Sequence, residues 1–452
     1  MDIKKIFSSL LMVATLFMGC TKEGDDTTTD PSTGSTGGSG EVVAEALFTS
    51  YSNMAMIGYQ GWFNTEGDGM GCGWTHYSVS GSDFEPGRGN ISIEFWPEMT
   101  EYKVQYITPF SFESGQYAPS SAYLFSSADY STTDLHFQWM EEYGLDGVFL
   151  QRFLTSVLNS ASLKSHRDHV TGNVIRAAAD HGRAWSLMYD LSGAKSEQIM
   201  MLLDDLEELD ATYNFSDETV VPNYLHHNGK PMLAIWGAGF DDDRDYSVQD
   251  VRELIDAINE QGVFSILLGV PYYWRTFGGD TIDDPEFHDL IKECDMIMPW
   301  AVGRYKYNTL QTNINAQYIA GDVAWCAEYG VDYAPLVFPG TSTGNLKGYE
   351  GTYDGFPREK GNFFWEQVWN AHNQGATALY IAMFDEVDEG TAIFKCLNTS
   401  DVPDNGDGIF VGIDDDLETD HYLWLAGEAT KLFHGESSAY SSTQPTRSAD
   451  AE

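Results

Sequence analysis

The segment FDEVDEGTAIF, from Phe384 to Phe394, carries four carboxylates directly after an apolar run. Carboxylates crowded together raise the pKa of at least one of them, so that one carboxyl can stay protonated while its neighbour is ionised. The protonated group can then protonate a leaving oxygen, and the ionised group can act as a base. We therefore predict Glu386 and Glu389, three residues apart, as a catalytic pair. The alternative is that these carboxylates bind a cation or cap the following helix.

Polar and aromatic residues also stand at the ends of other apolar runs. Aromatic rings stack on the apolar faces of sugars, whereas amides and carboxylates form directed hydrogen bonds with sugar hydroxyls. Together they predict a carbohydrate-binding site, although packing in the core is an equally good interpretation for any single Trp. The predicted substrate contacts are Tyr59, Gln60, Trp62, Gln151, Arg152, Asp190, Trp236, Tyr272, Trp274, Trp300, Asp385 and Asp388.

Eight apolar runs must position these residues. The runs are continuously apolar, as parallel strands covered on both faces should be. The segments between them show apolar residues at three- and four-residue spacing, and several end in Gly, as amphipathic helices do. This alternation predicts an α/β protein with a (β/α)8 TIM barrel, whose active site lies at the carboxyl ends of the strands. The runs begin at Met54, Gly147, Ala184, Pro231, Phe264, Met296, Tyr333 and Ala378.

The connection after the first run, from residue 61 to residue 133, is too long for a simple loop. Long loops in compact domains are usually functional. We predict that it forms an elaborated loop over the barrel mouth.

The N-terminal segment predicts export. Residues 1–20 place two lysines before an apolar run and end in Gly19 and Cys20, which is typical of a signal peptide. A small residue followed by cysteine resembles the lipobox of bacterial lipoproteins, which implies lipidation of Cys20; a cleaved signal with a chance cysteine is the alternative. The acidic residues after Cys20 resemble the surface-export signals of Bacteroidota lipoproteins. We expect an exported, outer-membrane protein held to the membrane by its lipid alone.

The remaining chain divides by composition. Residues 21–45 are rich in Thr, Ser, Gly and Asp and predict a flexible tether. Residues 46–435 predict the barrel domain, and residues 436–452 a disordered tail. We expect a monomer.

Composition argues against one class of partner. Lys and Arg number 24 against 69 Asp and Glu, and the formal charge of −45 disfavours nucleic acid. No cofactor or metal is predicted. The segment PDNGDGIFVGID places Asn405, Asp407 and Asp414 as in a calcium loop, but Pro403 occupies the first ligand position. His166 and His169 have no third ligand nearby in the sequence.

The sequence DEVDEGT resembles NEWHEGT, the signature at the eighth strand of glycoside hydrolase family 99, the endo-α-mannosidases. The order of strands across residues 54–435 agrees with that family and with the related family 71, and GLDGVFLQRF and GKPMLAIWG are similar to its second and fourth strands. The resemblance implies that Glu386 is the base toward the sugar 2-hydroxyl and Glu389 the acid/base on the leaving oxygen. It also implies retention of configuration through an anhydro-sugar intermediate.

Three positions depart from the signature. Asp385 replaces Asn, Val387 replaces Trp, and Asp388 replaces His. The preference for mannose therefore does not carry over to this chain. The sequence predicts a glycoside hydrolase acting on an α-linked glycan. A non-catalytic glycan-binding lipoprotein on the same barrel is the alternative, but binding alone would not require a matched acid and base.

Overall fold

The computed structural model describes residues 45–87, 89–305, 316–348, 354–404, 410–436 and 439–447. The described residues from position 45 onward form one compact unit. Its strands are β1 (Met54–Tyr59), β2 (Tyr106–Phe112), β3 (Ser120–Leu124), β4 (Gly147–Phe153), β5 (Ala184–Asp190), β6 (His226–His227), β7 (Lys230–Trp236), β8 (Ser265–Pro271), β9 (Met296–Trp300), β10 (Asp332–Tyr333), β11 (Leu336–Val337), β12 (Thr341–Ser342), β13 (Asp354–Phe356) and β14 (Ala378–Ile381).

The α-helices of the same residues lie mainly between the barrel strands. They are α1 (Tyr130–Tyr143), α2 (Leu154–Asn159), α3 (Ala161–His181), α4 (Ser196–Ile199), α5 (Leu202–Tyr213), α6 (Val248–Gln261), α7 (Glu286–Ile291), α8 (Ala316–Tyr329), α9 (Gly344–Lys347), α10 (Asn362–Asn373) and α11 (His421–Phe433).

The barrel is a ring of parallel strands in the order β1, β4, β5, β7, β8, β9, β10 with β11, and β14. The predicted seventh strand is split: β10 pairs with β9, and β11 pairs with β14. Pro335 lies at the break, where it supplies no backbone N–H. The ring nevertheless closes, because Ala334 N donates to Ile297 O at 3.0 Å and Pro335 O accepts from Tyr380 N at 3.0 Å. The predicted (β/α)8 barrel is confirmed.

Side chains alternate between two cores. Along β4, Phe149 belongs to the core inside the barrel, whereas Val148 and Leu150 belong to the core between the strands and the helices. The same alternation places Met188 of β5 inside and Leu187 outside. Because successive side chains of a strand point to opposite faces, neighbouring residues at a strand end cannot both enter the barrel mouth.

The helix α6 shows how the sequence forms the outer layer. Ser247 caps its first turn, since Ser247 Oγ accepts from Asp250 N at 3.2 Å while the Asp250 carboxylate accepts from Ser247 N at 2.7 Å. Five of its apolar residues are buried, among them Val251, Leu254, Ile255 and Ile258. The helix ends at Gly262, whose φ of 73° suits a residue without a β-carbon.

The connection from Gly61 to Asp129, here named the mouth loop, contains the antiparallel hairpin β2–β3. Aromatic side chains hold it together, and Tyr77 Oη donates to Phe125 O at 2.9 Å. The mouth loop also contacts the carboxylate segment, because Glu94 N donates to Val387 O at 3.2 Å. The aromatic residues of its core are Trp74, Tyr77, Phe84, Trp96, Phe110 and Phe125.

The chain after α11 differs from its prediction. Residues 439–447 lie against α10 and α11, although the sequence predicted a disordered tail over residues 436–452. Trp365 Nε1 donates to Ser441 O at 3.0 Å, and Arg447 forms an ion pair with Asp420. Within the described ranges, no helix combines the length and the apolar character needed to cross a membrane.

Candidate active site

The carboxylate cluster, defined as Asp385, Glu386, Asp388 and Glu389, follows β14 directly. Its backbone turns back sharply, since Thr391 N and Ala392 N both donate to Glu386 O at 3.1 Å. Gly390 permits the turn: its φ is 69°, and a β-carbon there would lie 2.5 Å from Ser342 N. The apolar run that predicted a strand through residue 386 therefore forms β14 only to Ile381, and the remainder shapes the cluster.

Asp385 joins the ends of β14 and β1. Its Oδ1 accepts from Gln60 N at 2.8 Å and its Oδ2 accepts from Gly61 N at 2.9 Å. The side chain is completely buried. Burial raises the pKa of Asp385 to about 7, although the two backbone donors oppose the shift. Asp385 thus positions the backbone at the barrel mouth, and its role as a substrate contact stays a prediction.

Glu386 lies at the centre of the cluster. Its Oε1 accepts from Gln60 Nε2 at 2.6 Å, and its Oε2 accepts from Thr391 Oγ1. Only 4% of the residue is exposed. Burial, followed by the charges of Glu389 and Asp388, raises the pKa of Glu386 well above its ordinary value, while the two donors lower it.

Glu389 is the partly exposed member of the cluster. Burial and the charge of Asp388 raise the pKa of Glu389 to about 7, and Lys347 opposes this shift. Asp190, at the end of β5, lies within electrostatic range: burial foremost, and also the charge of Glu389, raises the pKa of Asp190 to about 6. A carboxyl that titrates near neutrality and retains access to solvent is suited to give and take a proton.

Asp388 lies against the mouth loop. Its Oδ2 is 2.9 Å from Nδ1 of His76, whose ring stacks on Trp62 with centroids 3.6 Å apart. Burial raises the pKa of Asp388 to about 8. Burial, followed by the charge of Arg167, lowers the pKa of His76 well below its ordinary value. Both shifts favour an uncharged pair. One face of Trp62 is covered by His76, so that face is not offered to a sugar.

The other predicted contacts that point into the barrel lie around its mouth. Gln151 Nε2 donates to Tyr380 Oη at 2.9 Å, below the cluster. Trp236 and Trp300 are partly exposed and meet edge to face, with ring centroids 5.3 Å apart. Tyr272 belongs to the inner core and packs against Tyr273. Gln151, Trp236, Tyr272 and Trp300 remain predictions as substrate contacts.

Three predicted contacts lie on the outer face of the strands. Tyr59 Oη is 2.9 Å from His136 Nδ1 on α1, and the Arg152 guanidinium pairs with Asp205 on α5. Trp274 packs against Trp325 on α8, with ring centroids 4.8 Å apart. All three are almost completely buried there. The sequence analysis wrongly assigned them to the mouth, because it took neighbouring residues at each strand end although only alternate ones face inward.

Three contributors to the site were missed. Thr391 lies in the acidic segment itself. Tyr380 lies on β14, and the alternation of side chains along that strand, which turns Tyr380 toward the inside of the barrel, could have identified it. His76 carried no such signal, since 312 positions separate it from Asp388. Its partnership depends on the fold of the mouth loop.

Some predictions fall on other parts of the chain. The signal peptide with Cys20 and the tether up to residue 44 lie outside the described residues, as do Asn405 and Asp407 of the calcium-like loop. Among the residues that are described, no group of three or more His, Cys, Asp or Glu side chains is arranged to hold a metal ion. His166 and Arg167 are instead neighbours in α3, with His166 Nδ1 3.1 Å from Arg167 Nη1.

Comparison with known proteins places this barrel among glycoside-hydrolase-like folds. No family model and no curated protein matches the chain. The structure is similar to that of the GH99 endo-α-mannosidase from Bacteroides thetaiotaomicron, with 16% identity, a TM-score of 0.56, and coverage of 86% of this chain and 99% of that one. A second structure of that enzyme, in complex with BIS-TRIS propane, gives 15% identity, a TM-score of 0.55, and coverage of 85% and 98%. These likenesses establish the fold.

Proposed function

We propose that this protein is a glycoside hydrolase that cleaves α-linked glycans with Glu386 and Glu389. The observation that carries the proposal is the cluster itself: two glutamates converge at the end of the last barrel strand, and each has a raised pKa. Active sites of TIM barrels lie at this end of the strands. The similarity in fold to an endo-α-mannosidase supports the same class of reaction.

Glu389 is suited to the role of acid/base. It is partly exposed, and its pKa of about 7 lets it hold a proton for the leaving oxygen near neutral pH. Glu386 is assigned the role of base, which requires its ionised form. Gln60 and Thr391 donate to its two oxygens and favour that form, whereas burial and the neighbouring carboxyl charges raise its pKa in the ligand-free protein. The two carboxyls repel each other when both are ionised, so one of them holds a proton, and the base role of Glu386 requires that proton to lie on Glu389 when the sugar is bound. This division matches retention through an anhydro-sugar.

The walls of the mouth favour a neutral substrate. Trp236 and Trp300 present partly exposed rings, while Asp190 and Glu389 provide hydrogen-bonding carboxyls. The same carboxyls would repel an acidic sugar. Neutral α-mannans and α-glucans are therefore the first substrates to test.

A non-catalytic glycan-binding protein is the alternative, and one observation favours it. Glu386 is 4% exposed, so a sugar ring reaches it only if the surrounding groups move. Glycan binding at the exposed rings of Trp236 and Trp300 would need no such movement.

One screen separates the two functions. The protein is incubated with α-mannans, α-glucans, xylans and arabinans, beside Glu386→Gln and Glu389→Gln variants with matched melting temperatures. We expect one glycan to be cleaved and each variant to lose about 10²- to 10⁴-fold in kcat, the usual contribution of an acid or base. Binding without cleavage, unchanged in both variants, would identify a glycan-binding protein instead.

Export and anchoring form a second part of the proposal. Residues 1–20 and Cys20 carry it, through their likeness to a lipoprotein signal. In a bacterial host fed an alkyne-tagged fatty acid, the parent should be labelled and found in the outer membrane. The Cys20→Ser variant should carry no label, and labelling of that variant would contradict the assignment. Light scattering of the purified protein tests the expected monomer.

A further inference from the structure

The pair His76–Asp388 connects the buried carboxylate cluster with solvent. The Asp388 side chain is 4% exposed, and its Oδ2 lies 2.9 Å from His76 Nδ1. The His76 side chain is 29% exposed. The charge of Asp388 raises the pKa of both Glu386 and Glu389, which places it within electrostatic range of the two proposed catalytic groups.

The surrounding residues fix the ring of His76 in the orientation of its contact with Asp388. Its ring lies parallel to that of Trp62, at an interplanar angle of 5°. Its carbonyl accepts from Ser92 Oγ, and its φ is 63°, in the left-handed region that residues other than Gly, Asn, Asp and His seldom adopt. Nδ1 faces Asp388, and Nε2 has no hydrogen-bond partner in the described part of the chain. The two ring nitrogens thus have separate environments.

We propose that His76 exchanges protons between Asp388 and solvent, and through Asp388 sets the protonation state of Glu386 and Glu389. The proposal rests on the proposed hydrolase function, in which the cluster must keep one proton at the start of each turnover. His76 does not touch substrate in this scheme and is a positioning residue.

The exchange conserves protons. In the protonated pair, the Asp388 hydroxyl donates to Nδ1 and Nε2 carries the ring proton. On deprotonation, Nε2 gives its proton to water, the Asp388 proton moves to Nδ1, and Nδ1–H then donates to the carboxylate. The ring changes tautomer and remains neutral, which agrees with the lowered pKa of His76. Reversal of these two transfers returns the proton.

The charges around the pair act on both of its members. Arg167 opposes a positive charge on His76, and the neighbouring carboxyls oppose a negative charge on Asp388. Both effects favour the neutral ring as the carrier of the proton. The titratable and charged groups that face the pair are Tyr77 of the mouth loop, His166 and Arg167 of α3, and Asp385, Glu386 and Glu389 of the cluster.

The tautomer change is measured first, because it needs no substrate. Ring ¹⁵N spectra of the ¹⁵N-histidine-labelled protein are recorded from pH 5 to pH 10, and His76 is assigned by its absence in the His76→Asn variant. We expect the bound proton to shift from Nε2 to Nδ1 as the pH rises, and this shift to be lost in Asp388→Asn. An identical titration in Asp388→Asn would overturn the proposal. Failure of every glycan to be cleaved would instead count against the hydrolase function, whatever the spectra show.

Chemical rescue tests the catalytic consequence on the glycan that the screen identifies. His76→Gly keeps the backbone unstrained and leaves a ring-sized space beside Trp62. We expect kcat to fall roughly 10- to 100-fold with KM unchanged, less than for loss of a direct acid or base, and added imidazole to restore part of it. His76→Asn keeps a donor in place of Nδ1 but cannot relay a proton, so it should stay slow. Full activity in His76→Asn, or no response of His76→Gly to imidazole, would overturn the proposal.

Discussion

Two buried charged clusters lie on opposite faces of the barrel strands, and they differ in their counter-charges. On the outer face, Arg152 Nε and Nη2 donate to the Asp205 carboxylate at 2.6 and 2.7 Å, and Tyr189 Oη donates to Asp205 Oδ2 at 2.6 Å. At the mouth, the carboxylate cluster receives hydrogen bonds from backbone N–H groups, an amide and a hydroxyl. Among the described residues, no cation forms an ion pair with it except His76 when that ring is protonated. Lys347 acts on it from beyond ion-pair distance.

The pKa values follow this difference. Burial alone would raise the pKa of Asp205, but Arg152 and Tyr189 reverse the effect and hold it below its ordinary value. Burial raises the pKa of Asp388 to about 8, and nothing comparable offsets it. A buried carboxylate whose charge is balanced by a cation is typical of a structural ion pair. Buried carboxyls that lack such a cation and exchange protons are typical of a catalytic site. The contrast favours a structural role for the outer cluster and supports the proposal that the mouth carries the chemistry.

Removal of the outer cation should have the largest effect on stability. Arg152→Met leaves Asp205 buried without its main partner, so we expect the free energy of unfolding to fall by about 3–5 kcal/mol. Activity of the folded protein on a cleaved glycan should not change. Urea denaturation and kcat, both measured at low temperature, check the two expectations.

The double variant Arg152→Met, Asp205→Leu is the control. It removes both charges, and much of the stability should return, because apolar residues often replace a buried ion pair without loss. A large fall in kcat at unchanged stability would place Arg152 in the site after all.

The carboxylate cluster should make the protein less stable as the pH rises. In the unfolded chain the carboxyls have a pKa near 4, whereas burial in the folded protein raises the pKa of Asp385 and Glu389 to about 7 and that of Asp388 to about 8. Between these values the folded state keeps protons that the unfolded state has lost, so each such group reduces stability by about 1.4 kcal/mol per pH unit. The free energy of unfolding should therefore decrease from pH 5 to pH 7.

Glu386→Gln removes one of these groups. Between pH 5 and pH 7, the free energy of unfolding of this variant should fall less than that of the parent. The two falls should differ by about 3 kcal/mol at most, because coupled groups share their protons. The matched control is Glu260→Gln, on the exposed side of α6, which should follow the parent. Equal slopes in the parent and Glu386→Gln, from urea titrations at pH 5, 6 and 7, would mean that Glu386 is ionised in the folded protein throughout.

The sequence predicts the strands better than the direction of their side chains. A parallel strand buried on both faces leaves a continuous apolar run, and this signal located the barrel strands to within a few residues, apart from the break at Pro335. The same continuity hides which face each residue occupies. Gln151 and Arg152 are adjacent and both polar, yet one contacts Tyr380 inside the barrel and the other contacts Asp205 outside it. The His76–Asp388 pair joins distant segments and leaves no local pattern.

The smallest expected effect comes from aromatic residues on the two faces of the barrel strands. Trp236 lies partly exposed at the mouth, with Trp300 edge to face and Arg244 5.1 Å from its ring centroid. Trp236→Ala should weaken binding of the glycan about tenfold, since stacking on an aromatic ring contributes on the order of 1 kcal/mol. Trp274→Phe, on the outer face, should leave the affinity unchanged. Calorimetric titration of both variants, in a Glu389→Gln background that prevents turnover, measures the difference. Equal affinities would show that the glycan lies away from Trp236.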